Sequence, residues 1–387
     1  MYFGDRKASN GEDIANLFAD YFSSVYSDCV TSDYTPNFSG ANFSLSHVRL
    51  SDHDIQRRFR TIDVNKCAGP DVSYSIALEN DVMDIQTFLN LFLEILWTFI
   101  KVVYEIIRAM VRTVIPQEPK SVKGDIVLIT GTGHGMGREM ALRFARLGAK
   151  VVCVDINQPN NEETVSMIKH EKGIAYRYEC DVTNRSAVMQ LAEKVSKEVG
   201  DVSILVNNAG IMPCKPLLDQ TEKEIRLMND LNVNAYIWMI QAFLPPMIQR
   251  NYGHIVSMSS MAGLQGIRNL VPYCGSKYAV KGIMDALAVE LRDDKRDLSG
   301  IKLTTVFPYI VNTGLCQKPR IRFESLMKVV EPGDAADTIL NAVRREYNEV
   351  TIPQDLHYVN RFVYRLLPFQ AACVCTDFLD TGVDPHD

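Results

Sequence analysis

From about residue 124 the chain repeats one pattern: a short apolar run, a glycine-bearing or polar turn, then a longer stretch with apolar residues three and four apart. The runs at 126–130, 151–155, 174–180, 203–207, 253–259, 302–308 and 349–352 are short and mostly apolar, as strands buried on both faces are. The stretches near 137–148, 185–199, 232–250 and 273–292 carry helical periodicity. Strand and helix in alternation predict an α/β fold, a doubly wound parallel sheet in a single domain over 121–354.

Residues 83–120 follow a different pattern. From Ile85 onward most positions are apolar, and Asn90, Glu94, Thr98, Lys101, Glu105, Arg108 and Arg112 recur at helical spacing along one face. A spanning helix needs roughly 20 predominantly apolar residues, and charges fall inside every window of that length. An amphipathic helix lying in a membrane interface is therefore expected; a tilted span, or packing on the enzyme's own core, are the alternatives. Glu79, Asp81 and Asp84 precede the apolar run, whereas Arg108, Arg112, Lys120 and Lys123 follow it, which puts the downstream domain on the cytosolic side.

Composition narrows the class. A chain of 387 residues with 47% hydrophobic and 23% charged residues suits one large domain with appendages. A net charge of -6 gives no reason to expect nucleic acid as a partner. The nine cysteines form no CxxC pair and no zinc-spaced group with histidine, so no metal is expected and the compartment is a reducing one. Asp5, Arg6 and Lys7 follow Met1, so no secretory signal is expected to open the chain. Residues 1–82 are rich in Ser, Asp, Asn and Tyr, lack a sustained apolar period beyond 14–22, and are expected to be poorly ordered. Their phrases from Phe18 to Tyr26 and from Ile62 to Asp71 resemble the segment preceding the polymerase domain of non-LTR retrotransposon proteins. No Tyr-x-Asp-Asp motif follows, which excludes a polymerase and leaves a fused or mis-joined exon, with Met83 starting the functional protein. The tail 355–387 gives no assignment.

The chemistry lies in the repeated region. Ile126–Thr130 runs into Gly131-Thr132-Gly133-His134-Gly135-Met136-Gly137 and then a helix, the context a dinucleotide-binding turn requires. Gly131 permits the tight turn, Gly135 the approach of a pyrophosphate to backbone, and Gly137 close helix packing, with Met136 in the same turn. Asp155 ends the second strand, where a carboxylate accepts both adenosine ribose hydroxyls and repels a 2'-phosphate, so the expected cofactor is NAD. Asp181 and Val182 close the third strand and are placed to border the adenine, although Asp181 could equally cap the following helix. Asn208, Ala209 and Gly210, after the fourth strand, are small enough to approach the cofactor ribose and to hold neighbouring strands.

Ser260 ends the fifth strand, Tyr273 lies thirteen positions on, and Lys277 is four beyond that on the same helix face. An ammonium beside a phenol favours the ionised form, which makes Tyr273 an acid/base candidate. Lys277 is positioned to bind the nicotinamide ribose and Ser260 to hold the reacting oxygen. Asn232 stands inside a long helical segment, either as a cap or bending the helix around a water. These features describe a hydride-transfer enzyme.

The TGxxxGxG turn, the Asn207-Asn208-Ala209-Gly210 tetrapeptide and the set Asn232, Ser260, Tyr273 and Lys277 resemble the short-chain dehydrogenase/reductase family over about 124–353. The resemblance implies a Rossmann fold, those four residues as the catalytic tetrad, a proton relay through a water held by Asn232, and a homodimer. Pro308-Tyr309 departs from the commoner Pro-Gly of the family, while Asn312-Thr313-Gly314 follows, with Pro308 and Thr313 expected beside the nicotinamide. Gly133-His134-Gly135, Ala242-Phe243-Leu244-Pro245 and Val311–Gly314 resemble the branch of membrane-associated 17-beta-hydroxysteroid and epidermal retinol dehydrogenases. That branch implies a lipophilic alcohol or carbonyl substrate, a membrane helix beside the site, and a location on the endoplasmic reticulum or lipid droplets. The substrate pocket is expected from the loop after Ser260 and residues 309–330, including Leu264, Ile267, Leu270, Leu315 and Phe323. An NAD-binding membrane or lipid-droplet scaffold of low turnover is the alternative.

Overall fold

The computed structural model describes residues 2–3, 6–7, 85–323, 328–356 and 366–385. Residues 1–93 and 94–387 form two separate units. In the first, Tyr2–Phe3 pairs antiparallel with Arg6–Lys7; the expected disorder of 1–82 and the retrotransposon-like phrases otherwise lie outside the described residues.

The second unit is built on β1 (Ile126–Thr130), β2 (Lys150–Asp155), β3 (Ile174–Glu179), β4 (Ile204–Asn207), β5 (Gly253–Met258), β6 (Ile301–Pro308) and β7 (Glu349–Ile352). They form one sheet in the order β7-β6-β5-β4-β1-β2-β3, with every neighbouring pair parallel. The chain winds outward from β1 to β3, then returns beside β1 and winds the other way. That reversal opens a crevice at the carboxyl ends of β1 and β4.

The helices are α1 (Ile85–Val114), α2 (Gly135–Arg146), α3 (Gln158–His170), α4 (Arg185–Glu198), α5 (Glu222–Asn229), α6 (Ala235–Gln249), α7 (Val271–Asp293), α8 (Pro332–Arg344) and α9 (Phe369–Leu379). Strand side chains alternate in direction, and the core obeys that alternation. Val127 and Ile129 of β1 share a cluster with Met140 and Phe144 of α2 and Ile339 and Val343 of α8. Leu128 between them joins Val195 of α4 and Met239 and Phe243 of α6 on the other face. The apolar runs are thus apolar on both parities because helices cover both faces, each fully buried large side chain contributing roughly 1.5–3 kcal/mol.

Three boundaries differ from the sequence expectation. The stretch 232–250 is not one helix: α5 passes through a π turn at Asp230–Asn234 into α6. Asn232 at the centre of that turn bonds backbone outside the helix, which explains the inserted residue. The first glycine-turn helix begins at Gly135 rather than 137. The unassigned tail forms α9 and a strand, Gly382–Val383, paired antiparallel with Pro319–Arg320.

Helix α1 runs unbroken for 30 residues, with apolar and polar side chains alike exposed, Trp97 at 58% and Phe99 at 64% among them. Along its polar stripe Arg108 lies 3.2 Å from Glu105, and Lys101 lies 5.3 Å from the ring centroid of Trp97 on the apolar arc. Among the described residues no helix is long and apolar enough to cross a membrane.

The segment after α1 is pinned to the sheet. The Lys120 N–H donates to Arg344 C=O at 2.7 Å, and its ammonium lies 3.2 Å from Glu346 and 3.5 Å from His254 Nδ1. Thr304 donates its hydroxyl to Tyr347 C=O at 2.6 Å, so His254 Nε2–H must donate to Thr304 at 2.8 Å, leaving Nδ1 as the acceptor facing Lys120. His254 is the second residue of β5, so this linkage lies at the amino ends of the strands. The segment that follows α1 is thus anchored at the amino ends of the strands, the end of the sheet opposite the crevice.

Candidate active site

The glycine turn joins β1 to α2 through backbone that only small residues permit. Gly131 has φ 73° and Gly135 φ 58°, and a Cβ on Gly137 would lie 2.0 Å from the Gly131 carbonyl oxygen. Helix α2 starts at Gly135 without a side-chain cap, so the amides of its first turn face the crevice. Asp155, at the end of β2, accepts from Gly133 N–H at 2.7 Å through one oxygen and from Asn157 N–H at 2.8 Å through the other. Each oxygen keeps a second acceptor position. A cradle of close backbone, helix amides and one carboxylate fits the pyrophosphate and adenosine ribose of a dinucleotide.

Asn208 ties this turn to β4. Its Nδ2 donates to Thr130 C=O at 2.8 Å, and Thr130 Oγ1 accepts from the N–H of Asn208 at 3.0 Å and of Ala209 at 3.1 Å. Asp181 accepts from Thr183 at 2.9 Å and 2.7 Å, and the following helix is capped by Asn184 instead. Val182 is buried in the core cluster that holds Leu128 and Leu205. Thr313 packs over the glycine turn, so close that a Cβ on Gly135 would lie 3.0 Å from its Cγ2. No helix follows Thr313 directly; its oxygen accepts from Leu315 N–H at 3.4 Å in a turn.

Ser260, Tyr273 and Lys277 line one cavity with Gly210, Met136 and Pro308. Pro272, at the start of α7, sets the entry angle of the helix that carries Tyr273 and Lys277. Ser260 Oγ donates to Pro308 C=O at 3.3 Å and accepts from Ala262 N–H at 3.1 Å. Lys277 is buried, donates to Met258 C=O at 2.9 Å, and has its ammonium 5.6 Å from the Tyr273 ring centroid and 5.7 Å from that of Tyr236. Asn232, fully buried, accepts from Ile211 N–H at 2.9 Å and donates to Ile211 C=O at 2.9 Å and Ser276 Oγ at 3.1 Å. These bonds fix the loop after Gly210 against the α7 turn bearing Tyr273.

The electrostatics differ from the simple expectation of an ammonium favouring a phenolate. Burial pushes the Tyr273 phenol well above its ordinary value, with hydrogen bonding to Ser260 pulling the other way. Burial also lowers the Lys277 ammonium to about 7. Both shifts follow from the same cause: with no solvent, each group resists its charged form. The backbone after β6 raises no steric problem, since Tyr309 is absent from the described residues with positive φ. Its N–H donates to Ile352 C=O at 2.8 Å, so tyrosine occupies the family's glycine position without left-handed backbone.

The pocket's apolar wall includes Ile267, Leu270 and Leu315, as expected, and also Met212, Met261 and Cys316. Leu264 and Phe323 do not line it; Phe323 packs on Phe378, centroids 5.4 Å apart. Thr376, Thr381, Gly382 and Val383 of the tail were missed, because nothing local in their sequence marks a wall of a distant cavity. A larger cleft at the amino ends, lined by Arg112, Arg292, Lys302 and Arg345 among others, holds none of these catalytic candidates.

A doubly wound sheet, a glycine turn and a Ser-Tyr-Lys group at the crevice define a dinucleotide-dependent oxidoreductase. The sequence comparisons agree. Residues 125–321 match the short chain dehydrogenase model, and the chain belongs to that family. It is 39% identical over 281 residues to human epidermal retinol dehydrogenase 2, covering 72% of this chain and 90% of that protein. It is 36% identical over 288 residues to human 17-beta-hydroxysteroid dehydrogenase 13, covering 74% and 93%. A short chain dehydrogenase/reductase from Burkholderia phymatum in complex with NAD has the same fold, with a TM-score of 0.57, 23% identity, and coverage of 69% and 98%. A metagenomic short-chain oxidoreductase in complex with NADP is also similar, with a TM-score of 0.51, 26% identity, and coverage of 60% and 97%.

Proposed function

We propose that the protein is an NAD-dependent dehydrogenase that interconverts a lipophilic alcohol and its carbonyl at Ser260, Tyr273 and Lys277. The carrying observation is that these three groups share one largely apolar cavity with the glycine turn. The activities for which the similar retinol and hydroxysteroid dehydrogenases are named support the same substrate class. Asp155 supports NAD, since a 2'-phosphate would approach a carboxylate already fixed by two backbone N–H groups.

In this reading NAD, when bound, supplies the two-electron acceptor. Ser260 orients the substrate oxygen, and Tyr273 exchanges its proton with that oxygen. Lys277, titrating near neutrality, is the charge that offsets a phenolate once the site is filled. Asn232 acts through position, locking Ile211 to α7 beside the amine. The glycine turn, Met136, Asp155, Asp181, Val182, Asn208, Ala209, Gly210, Pro308 and Thr313 make up the cofactor's surroundings, and Met212, Ile267, Leu270 and Leu315 exclude water from the reacting carbon. Helix α1 lies on a membrane or lipid-droplet surface facing the cytosol, supported by its exposed apolar arc with a paired polar stripe. Residues 83–120 serve as anchor, 121–354 as catalytic domain, and two chains pair through α6 and α7, supported by exposed Tyr278 and Val289 on α7.

The test is NADH formation by the full chain on retinol, steroid and long-chain alcohols in liposomes, with and without Tyr273→Phe. Turnover that falls about 10²–10⁴-fold in the variant is expected. Tight NAD binding with no turnover of any alcohol, ketone or aldehyde by the unmodified protein would refute the reading and favour a scaffold. For the anchor, membranes are washed with high salt and then detergent; release by salt alone counts against insertion.

A further inference from the structure

The carboxyl-terminal tail turns back onto the catalytic cavity. Thr376 of α9 and Thr381, Gly382 and Val383 beyond it line the same space as Ser260 and Tyr273. Val383 is 7% exposed and belongs to one apolar cluster with Tyr273, Leu270 and Met228. This segment is held by the loop after β6 and by the loop before α7. Gly382 and Val383 pair antiparallel with Arg320 and Pro319, and Asp384 N–H donates to Lys318 C=O at 3.0 Å. Asn269 Nδ2 donates to Val383 C=O at 3.0 Å from the loop before α7. Arg320 lies 3.3 Å from Asp380 and 3.9 Å from Asp384, bracketing the strap with ion pairs. Further back, Arg322 donates to Phe378 C=O at 2.9 Å.

The latches come from the segments that bear the rest of the pocket. Asn269 directly precedes Leu270, a wall residue, and Arg320 follows Leu315 and Cys316 in the loop after β6. Asn269 adopts φ 66°, a left-handed conformation that orients its carboxamide while remaining within the range asparagine tolerates. A strap fastened to segments that flank the pocket's walls, with a branched apolar side chain packed in the tyrosine's cluster, limits the space behind the reacting oxygen.

We propose that residues 381–383 form the specificity-determining wall of the substrate pocket, with Val383 setting the length of apolar chain that fits behind the hydroxyl. This rests on Tyr273 marking the reacting end of the substrate. Each methylene gained or lost against that wall is worth about 0.8 kcal/mol, or about fourfold in affinity.

The experiment uses the full chain carrying Val383→Ala, Val383→Phe or Asn269→Gly, each checked for folding by thermal melting. Straight-chain alcohols from hexanol to hexadecanol displace a fluorescent polyene alcohol, and NADH formation is followed on the same series. Val383→Ala should move the tightest-binding alcohol one or two methylenes longer, changing the ratio of hexanol to dodecanol affinity about tenfold. Val383→Phe should move the ratio the other way. Asn269→Gly, which keeps the backbone conformation but removes the latch, should flatten the profile. Variants that scale every alcohol by one common factor overturn the proposal, as does a wild-type protein that binds none of the series. Length-dependent binding that shifts as expected, with no turnover of any alcohol, upholds the strap and overturns the catalytic reading instead.

Discussion

Asp155→Asn separates charge from shape at the cofactor's adenosine end. In the native turn one carboxylate oxygen accepts from Gly133 N–H at 2.7 Å and the other from Asn157 N–H at 2.8 Å. An asparagine keeps one acceptor and turns an amide group toward the second N–H, loosening the turn by about 1–3 kcal/mol. That loss weakens both dinucleotides equally and cancels in their ratio. The difference lies in the 2'-phosphate. Two like charges about 4 Å apart repel by about 1 kcal/mol in water and about 4 kcal/mol at an effective dielectric near 20. Asp155 is half-buried, so removing its charge should favour NADPH over NADH by about 2 kcal/mol, roughly thirtyfold in the ratio of dissociation constants. Titrating NADH and NADPH by nicotinamide fluorescence at one fixed ionic strength measures that ratio directly. A wild-type protein that prefers NADPH, or a variant whose ratio stays within twofold of wild type, would refute the reasoning.

Gly137→Ala places a methyl 2.0 Å from the Gly131 carbonyl oxygen; the turn must open, and dinucleotide affinity should fall at least tenfold in the same titration, with a melting temperature lowered by an overpacking cost of about 1–3 kcal/mol. An unchanged affinity would mean that the turn does not hold the pyrophosphate. His254, held neutral by burial with Lys120 beside it, titrates near 3 instead of its ordinary 6.5. The unfolded chain therefore binds a proton that the folded chain refuses, and stability should fall as pH drops from about 6.5 toward 3. His254→Gln should flatten that acid slope in denaturant melts at several pH values; an identical slope would show that His254 does not set it.

The glycine turn, the strand end at Asp155, and the spacing of Tyr273 and Lys277 were legible because each is local, whereas Ser260 lies two residues past the end of β5, capping a short 3-10 turn rather than ending the strand. Strand period and turn chemistry act over a few residues, and i, i+4 positions share a helix face wherever the helix lies. The paired apolar parities of β1 likewise implied helices on both faces before any contact was known. The kink at Asn232 was legible only as a conflict between asparagine and helix; its resolution as a π turn depended on Ile211 and Ser276, which lie far away in the chain.

Sequence by itself determined the doubly wound sheet and the meeting of Ser260, Tyr273 and Lys277 at the crevice, because parallel strands joined by helices bring all their carboxyl ends to one edge. Tertiary structure alone decided the direction in which the two groups shift, since the phenol's rise and the ammonium's fall arise from burial rather than from the pairing of the two groups. It alone decided where α1 joins the body, through Lys120, His254 and Glu346 at the amino ends of the sheet. It alone decided that Val383 closes the pocket, because a wall assembled from segments distant in sequence leaves no periodicity in any one of them.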